Sequence, residues 1–239
     1  MIYFLTSSSC TPGLPSLNPA NGFVAELKKA LTKPVHALFI TSAPDDVVFT
    51  DSVAISTREN FGNSGIVFDT YNKLDRRNAD KTEEFVKQAN LIVLSGGHTP
   101  TENFFFADIR LKELLQDYDG VLVGISAGSM NSAGVVYAQP EEPGEALDPD
   151  FKKFLPGLGL TDVMIIPHYQ MIKDYTLDGK KLFEEVTYPD SMGRTFYALV
   201  DGSFLLGKDG REELRGEIYE IKDGVLTQVG NEGDVLVVK

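Results

Sequence analysis

Ser126 lies at the centre of Gly124-Ile125-Ser126-Ala127-Gly128, a Gly-x-Ser-x-Gly arrangement. The residues before it, Val121 to Val123, read as a buried strand, and those after it read as the start of a helix. A turn that sharp strains its central residue and pushes the side chain out at the top of a sheet. A hydroxyl held there is a candidate nucleophile, and a nucleophile of this kind needs a base. Histidine is the usual base because its pKa lies near working pH. The chain has three: His36, His98 and His168. His36 opens a strand at the wrong end of a parallel sheet and is expected to be structural. His98 follows Gly96-Gly97, and His168 follows the apolar run Val163 to Ile166. Both therefore fall at the carboxyl ends of strands, where ligands bind in α/β sheets. His168 is also downstream of the serine, as the chain order serine, acid, histidine of α/β-type hydrolases requires. His168 is thus the expected base, and His98 a loop residue lining the pocket.

A carboxylate should hold the imidazole tautomer and stabilise the imidazolium. The acidic loop 139–150, between Ser126 and His168, offers Glu141, Glu142, Glu145 and Asp148, and spacing does not choose among them. The N–H of Gly97, with no side chain to block approach, pairs with that of Ala127 as a two-donor oxyanion hole.

The elements that position these residues follow from periodicity. Strand-length apolar runs at 1–6, 35–41, 66–69, 91–95 and 121–123 alternate with helical patterns at 23–31, 45–61, 81–89 and 101–118. Asp80 is the expected N-cap of the third helix. This βαβα order calls for a mostly parallel sheet flanked by helices on both faces. Beyond residue 196, short alternating strands separated by Asp-Gly at 201–202, 209–210 and 223–224 predict hairpins, hence a C-terminal antiparallel extension. No linker interrupts residues 1–239, so one domain is expected.

Composition limits the partners. With 42% hydrophobic and 24% charged residues the chain is ordinary for a globular protein. No apolar run approaches the roughly 18 residues that span a membrane. A formal net charge of −13 argues against nucleic acid. One cysteine, Cys10, excludes an internal disulfide and fits a reducing cytoplasm. The proposed chemistry calls for no metal and no organic cofactor.

Three stretches together resemble one family. GISAGSMN at 124–131, SGGHT at 95–99 and IPHY at 166–169 look like the peptidase E family, the α-aspartyl dipeptidases, which also includes the cyanophycinases. ALVDGSFLLGKDG at 198–210 is similar to that family's closing hairpin. The resemblance implies a fold like class I glutamine amidotransferases, with serine replacing the amidotransferase cysteine. It implies Ser126 as nucleophile, His168 as base, Gly97 and Ala127 as oxyanion donors, and Glu141 in preference to Glu142 as the acid. His98, Tyr169 and Lys173 would face the substrate, a small peptide, in a monomer or small homo-oligomer. The family's dipeptidases place an arginine after the histidine to recognise an acidic side chain. Residues 170–181 hold none, leaving Lys173, Lys180 or Lys181 as stand-ins. Other hydrolysis on the same scaffold, by an esterase or an isopeptidase, and a non-catalytic binding protein are the competing expectations.

Overall fold

Alternate residues along the central strands enter two different cores. Ile92, Leu94, Leu38, Ile40 and Leu122 face one side, against Val86, Phe105, Phe106 and Ile109. Leu91, Val93, Ala37, Phe39, Val121 and Val123 face the other, against Phe23, Leu27, Ala54 and Phe61. Strands apolar on both faces are buried in the middle of a layered α/β fold. The computed structural model describes all 239 residues.

In chain order the first part runs β1 (Ile2–Thr6), α1 (Phe23–Ala30), β2 (His36–Ile40), α2 (Val47–Asn63), β3 (Thr70–Leu74), α3 (Thr82–Gln88), β4 (Leu91–Leu94), α4 (Thr99–Asp108), α5 (Leu111–Leu114), β5 (Val121–Ile125) and α6 (Ala127–Asn131). The second part has β6 (Val135–Tyr137), β7 (Phe154–Pro156), β8 (Met164–Ile166), α7 (Tyr169–Ile172), β9 (Thr176–Leu177), β10 (Lys180–Lys181), a π-helical turn Leu182–Thr187, and α8 (Tyr188–Asp190). It closes with β11 (Thr195–Leu199), β12 (Phe204–Lys208), β13 (Arg211–Arg215), β14 (Ile218–Lys222), β15 (Val225–Gly230) and β16 (Val235–Val237).

The main sheet has eight strands in the order β16-β13-β12-β1-β5-β4-β2-β3. Strands β1 to β5 are parallel, and β12, β13 and β16 add antiparallel strands beyond β1. The expected parallel core with a C-terminal antiparallel extension is therefore present. A second sheet, β15-β14-β11-β8, stands apart, with β8 parallel to β11. No helix is long and apolar enough to cross a membrane.

Some local expectations shift. Residues 66–69 are not the third strand, although Ile66 and Phe68 are buried. Asp69 caps the approach instead: its backbone N–H donates to Val35 O and its carboxylate accepts from Val35 N, so pairing with β2 starts at Thr70. The long helix over 101–118 breaks at Arg110, whose left-handed φ of 53° separates α4 from α5. Asp80 does not cap α3: it lies inside a 3-10 turn, Arg76–Lys81, which Asp75 and Asn78 open as a capping box, and α3 follows from Lys81 with no side-chain cap.

Candidate active site

Strand β5 carries the chain to the top of the sheet and α6 starts at once. Ser126, between them, has φ 51° and ψ −111°, outside the regular regions for an L residue. Strain of this kind costs on the order of 1–3 kcal/mol and persists only where the surroundings enforce it. Here they do. The Ser126 N–H is tied to Thr6 O of β1, and Ser126 O accepts from Ser129 N and Met130 N. A Cβ on Gly128 would lie 2.7 Å from Leu94 Cβ and from Leu94 O, so only glycine lets α6 start so close to β4.

His168 follows β8 and Pro167, with its own left-handed φ of 58°. Its backbone N–H donates to Ser7 Oγ at 2.7 Å, which locks the residue to the loop after β1. The ring joins Ser126 to a carboxylate. Nε2 is 2.9 Å from Ser126 Oγ, and Nδ1 is 2.7 Å from Asp201 Oδ1. An ionised carboxylate only accepts, so Nδ1 carries the hydrogen and Nε2 is left as the acceptor for the serine hydroxyl.

The carboxylate on the imidazole is thus Asp201, not the expected Glu141 or Glu142. Asp201 belongs to the Asp-Gly at 201–202 that reads as a hairpin turn. The two flanking strands are not a hairpin: β11 belongs to the smaller sheet and β12 to the larger. The crossing between sheets brings Asp201 over the cleft. Its Oδ1 also accepts from Ser7 Oγ at 2.8 Å, and its N–H donates to Gln170 Oε1. Partial burial, the largest single influence, raises the pKa of Asp201. The hydrogen bond and charge of His168, with the bonds from Ser7 and Gln170, outweigh burial and hold the pKa below the ordinary aspartate value.

Glu141 lies elsewhere in the same cleft. Its carboxylate accepts from Thr99 Oγ1 at 2.5 Å, at the start of α4. The residue as a whole is exposed, but its carboxyl group is turned in among protein atoms. That partial desolvation pushes its pKa up, against the opposing pull of Thr99 and His98. Glu142 is exposed.

Gly97 and Ala127 both present backbone N–H groups that no acceptor in the protein takes up. A Cβ at Gly97 would fall 2.2 Å from Ser42 Oγ, so the position admits no side chain. His98 sits on the rim rather than over the serine: Nδ1 meets Thr101 Oγ1 at 2.7 Å and Nε2 meets Glu145 Oε1 at 2.8 Å. The other oxygen of Glu145 accepts from the N–H groups of Glu141 and Glu142, so this pair fixes the loop that carries Glu141. His98, Glu142 and Glu145 together bring three donor atoms within 4.8 Å of one another, the arrangement nearest to a metal-binding set.

Two expected substrate contacts are placed elsewhere. Tyr169 is buried, its ring 4.2 Å from that of Tyr219 and 5.6 Å from that of Phe183. Lys173 is half exposed, with Asp174 as its neighbour at 4.0 Å. The cleft that opens beside Ser126 and His168 has a volume of about 180 Å³ and is bounded by Met130, Glu141, Ile172, Tyr175 and Leu182. Of these, sequence reasoning identified only Glu141. Ile172, Tyr175 and Leu182 flank α7 and the β9–β10 hairpin, which carry no motif.

Residues 3–214 match the sequence model of Peptidase family S51. A peptidase structure from an acI-B1 Actinobacterium superposes with a TM-score of 0.67 at 20% identity, covering 99% of this chain and 96% of its own. A Peptidase E candidate from Listeria monocytogenes EGD-e superposes with a TM-score of 0.57 at 14% identity, covering 96% and 98%. At these identities the likeness is one of fold. None of the curated proteins compared with the chain matches it.

Proposed function

The chain belongs to peptidase family S51, and from that premise we propose that it is a serine-type peptidase acting on small peptides by an acyl-enzyme route. One observation carries the reading: Ser126 Oγ, His168 Nε2 and Nδ1, and Asp201 Oδ1 form an unbroken line of hydrogen bonds of 2.9 and 2.7 Å. In this mechanism His168 Nε2 takes the hydroxyl proton as Ser126 Oγ attacks the peptide carbonyl carbon. Asp201 stabilises the imidazolium and stays ionised. The N–H groups of Gly97 and Ala127 hold the oxyanion. His168 gives its proton to the leaving amine as the C–N bond breaks. Water, deprotonated by the same nitrogen, then attacks the acyl carbonyl carbon, and as the ester C–O bond breaks His168 returns the proton to Ser126 Oγ.

An exopeptidase acting at the dipeptide scale fits the small cleft, whose walls include residues 139–141 and Ile172, Tyr175 and Leu182. Asp201 takes the triad position earlier expected of Glu141, and Glu141 faces the substrate instead.

A fluorophosphonate probe tests the proposal. Ser126 should be labelled in the wild type, and Ser126→Ala should abolish both labelling and dipeptide hydrolysis. His168→Ala should slow labelling by at least 10³-fold. Labelling that survives either substitution refutes the serine mechanism.

A further inference from the structure

An acidic substrate side chain taken out of water needs a cation or hydrogen-bond donors to receive it. The three lysines available for that task are all engaged away from the cleft. Lys180 Nζ donates to Ala146 O, Lys181 pairs with Glu184, and Lys173 has Asp174 beside it. None of them borders the cleft, and neither does any arginine. The hollow on the other flank of the nucleophile, bounded by Ser9, Cys10, Asn60, Ser95 and Ile125, holds no charged side chain at all. His168 apart, the one acidic or basic side chain other than the phenol of Tyr175 that lines the cleft is Glu141, whose charge has the wrong sign for an acidic residue.

From these placements we infer that the cleft accepts peptides whose first residue bears a free ammonium group and an apolar side chain, and rejects an acidic one. The inference rests on the peptidase reading above. In a dipeptide the ammonium and the side chain are both attached to the carbon next to the attacked carbonyl. Both are therefore received close to Ser126, and the cleft that Ser126 and His168 themselves line offers a partner for each. Glu141, oriented by Thr99, is the partner for the ammonium. Met130, Ile172 and Leu182, with the ring of Tyr175 at the rim, form the apolar wall for the side chain. A carboxylate placed against that wall would lose its water, gain no partner and face Glu141. Sites of this kind discriminate strongly against the group they cannot pair, whereas one methylene more or less in an apolar pocket changes rates by only about 10–200-fold.

The test uses the chain of residues 1–239 and the dipeptides Leu-Ala, Met-Ala, Asp-Ala and Lys-Ala, together with N-acetyl-Leu-Ala. Hydrolysis is followed by release of alanine, with fluorophosphonate labelling of Ser126 run in parallel. Leu-Ala and Met-Ala should exceed Asp-Ala and Lys-Ala in kcat/KM by at least about tenfold. Acetylation of Leu-Ala should lower kcat/KM at least tenfold, chiefly through KM. Glu141→Gln should raise KM for Leu-Ala at least fivefold more than it raises KM for N-acetyl-Leu-Ala. Labelled Ser126 with a preference for Asp-Ala or Lys-Ala overturns this inference and leaves the peptidase reading intact. So does labelled Ser126 with no dipeptide turned over, or with acetylation without effect. Absence of labelling overturns the peptidase reading, and this inference with it.

Discussion

Asp201→Asn separates the two candidate acids. Asp201 Oδ1 is 2.7 Å from His168 Nδ1, and the two side chains are 16% and 31% exposed. When His168 takes the serine proton, an imidazolium and a carboxylate face each other with charge centres about 4 Å apart. At an effective dielectric of about 20 their attraction is about 4 kcal/mol, or about three decades of rate. A second loss is geometric. The asparagine amide can present its NH2 to Nδ1, which moves the ring hydrogen to Nε2. That nitrogen then donates towards Ser126 Oγ and cannot accept its proton. The two losses together place the expected fall in kcat at about 10³–10⁴. The assay is steady-state hydrolysis of a chromogenic amino-acid anilide, with circular dichroism and Tm confirming that the variant folds. Glu141→Gln, measured beside it, should act mainly on KM. If Asp201→Asn keeps kcat within tenfold of the wild type while Glu141→Gln loses three decades, the acid is Glu141 and the assignment made from the hydrogen bonds is wrong.

Gly97→Ala should lower kcat by about 10²–10³, because the new methyl would meet Ser42 Oγ at 2.2 Å and displace an oxyanion donor; a kcat within threefold of the wild type would remove Gly97 from the oxyanion hole. Glu102 is fully buried in α4, and burial drives its pKa well above the ordinary value. A carboxyl with a raised folded pKa stabilises the fold fully below its unfolded pKa of about 4.5, and that contribution disappears as pH rises through the folded value. Glu102→Gln should therefore flatten the dependence of Tm on pH above 4.5 and raise Tm at alkaline pH relative to wild type. Parallel Tm–pH curves for the two proteins would refute a neutral Glu102. Asp201 works in the opposite sense: its lowered pKa contributes stability above the unfolded value of about 3.8, which is lost as pH falls through the folded value. Asp201→Asn should abolish that part of the acid-limb loss of Tm, and an unchanged acid limb would contradict it.

Ser126 could be found from sequence because its requirements are local. Close approach of α6 to β4 needs Gly128, and the pattern announces itself within five residues. His168 could be found because histidines are few and only two fall after strands. The parallel direction of β1 to β5 followed from alternation of apolar strands and helices, whereas their order in the sheet did not. Asp201 was hidden for a topological reason. The Asp-Gly pairs at 209–210 and 223–224 are true hairpin turns, with left-handed φ at both residues and strands paired on either side. At 201–202 only Gly202 is left-handed, at φ 96°. There was a sequence signal. The Asp-Gly at 201–202 is flanked by Ala198, Leu199, Phe204 and Leu205, all buried, whereas charged residues adjoin the other two pairs. A turn between two fully apolar runs connects elements that are each buried separately, and has reason to lie between sheets. The cleft walls at Ile172, Tyr175 and Leu182 were not legible, since they lie in short elements without periodicity.

The same topology bears on how the site is held. Ser126 depends on the large sheet, through β5 and β1. His168 depends on the small one, through β8. Asp201 lies on the strand-to-strand passage from one sheet to the other. The three would drift independently if nothing tied the sheets together at this point. Ser7, directly after β1, does so: its hydroxyl receives the His168 N–H and lies within bonding distance of Leu199 O and Asp201 Oδ1. Its backbone N–H donates to Ser203 O. Ser7 is buried and does not line the cleft, yet it bonds both the His168 backbone and the Asp201 carboxylate. Ser7→Ala leaves the His168 N–H without its acceptor in a partly buried setting, a cost of about 1–3 kcal/mol. It also removes one of the bonds that keep Asp201 ionised. If the sheets are coordinated through this hydroxyl, the variant should lose kcat while keeping KM, and Ser7→Thr should restore it. A Ser7→Ala enzyme with unchanged kcat would mean that the strands alone hold the two sheets in register, and that the passage at 199–204 is rigid without the bridge.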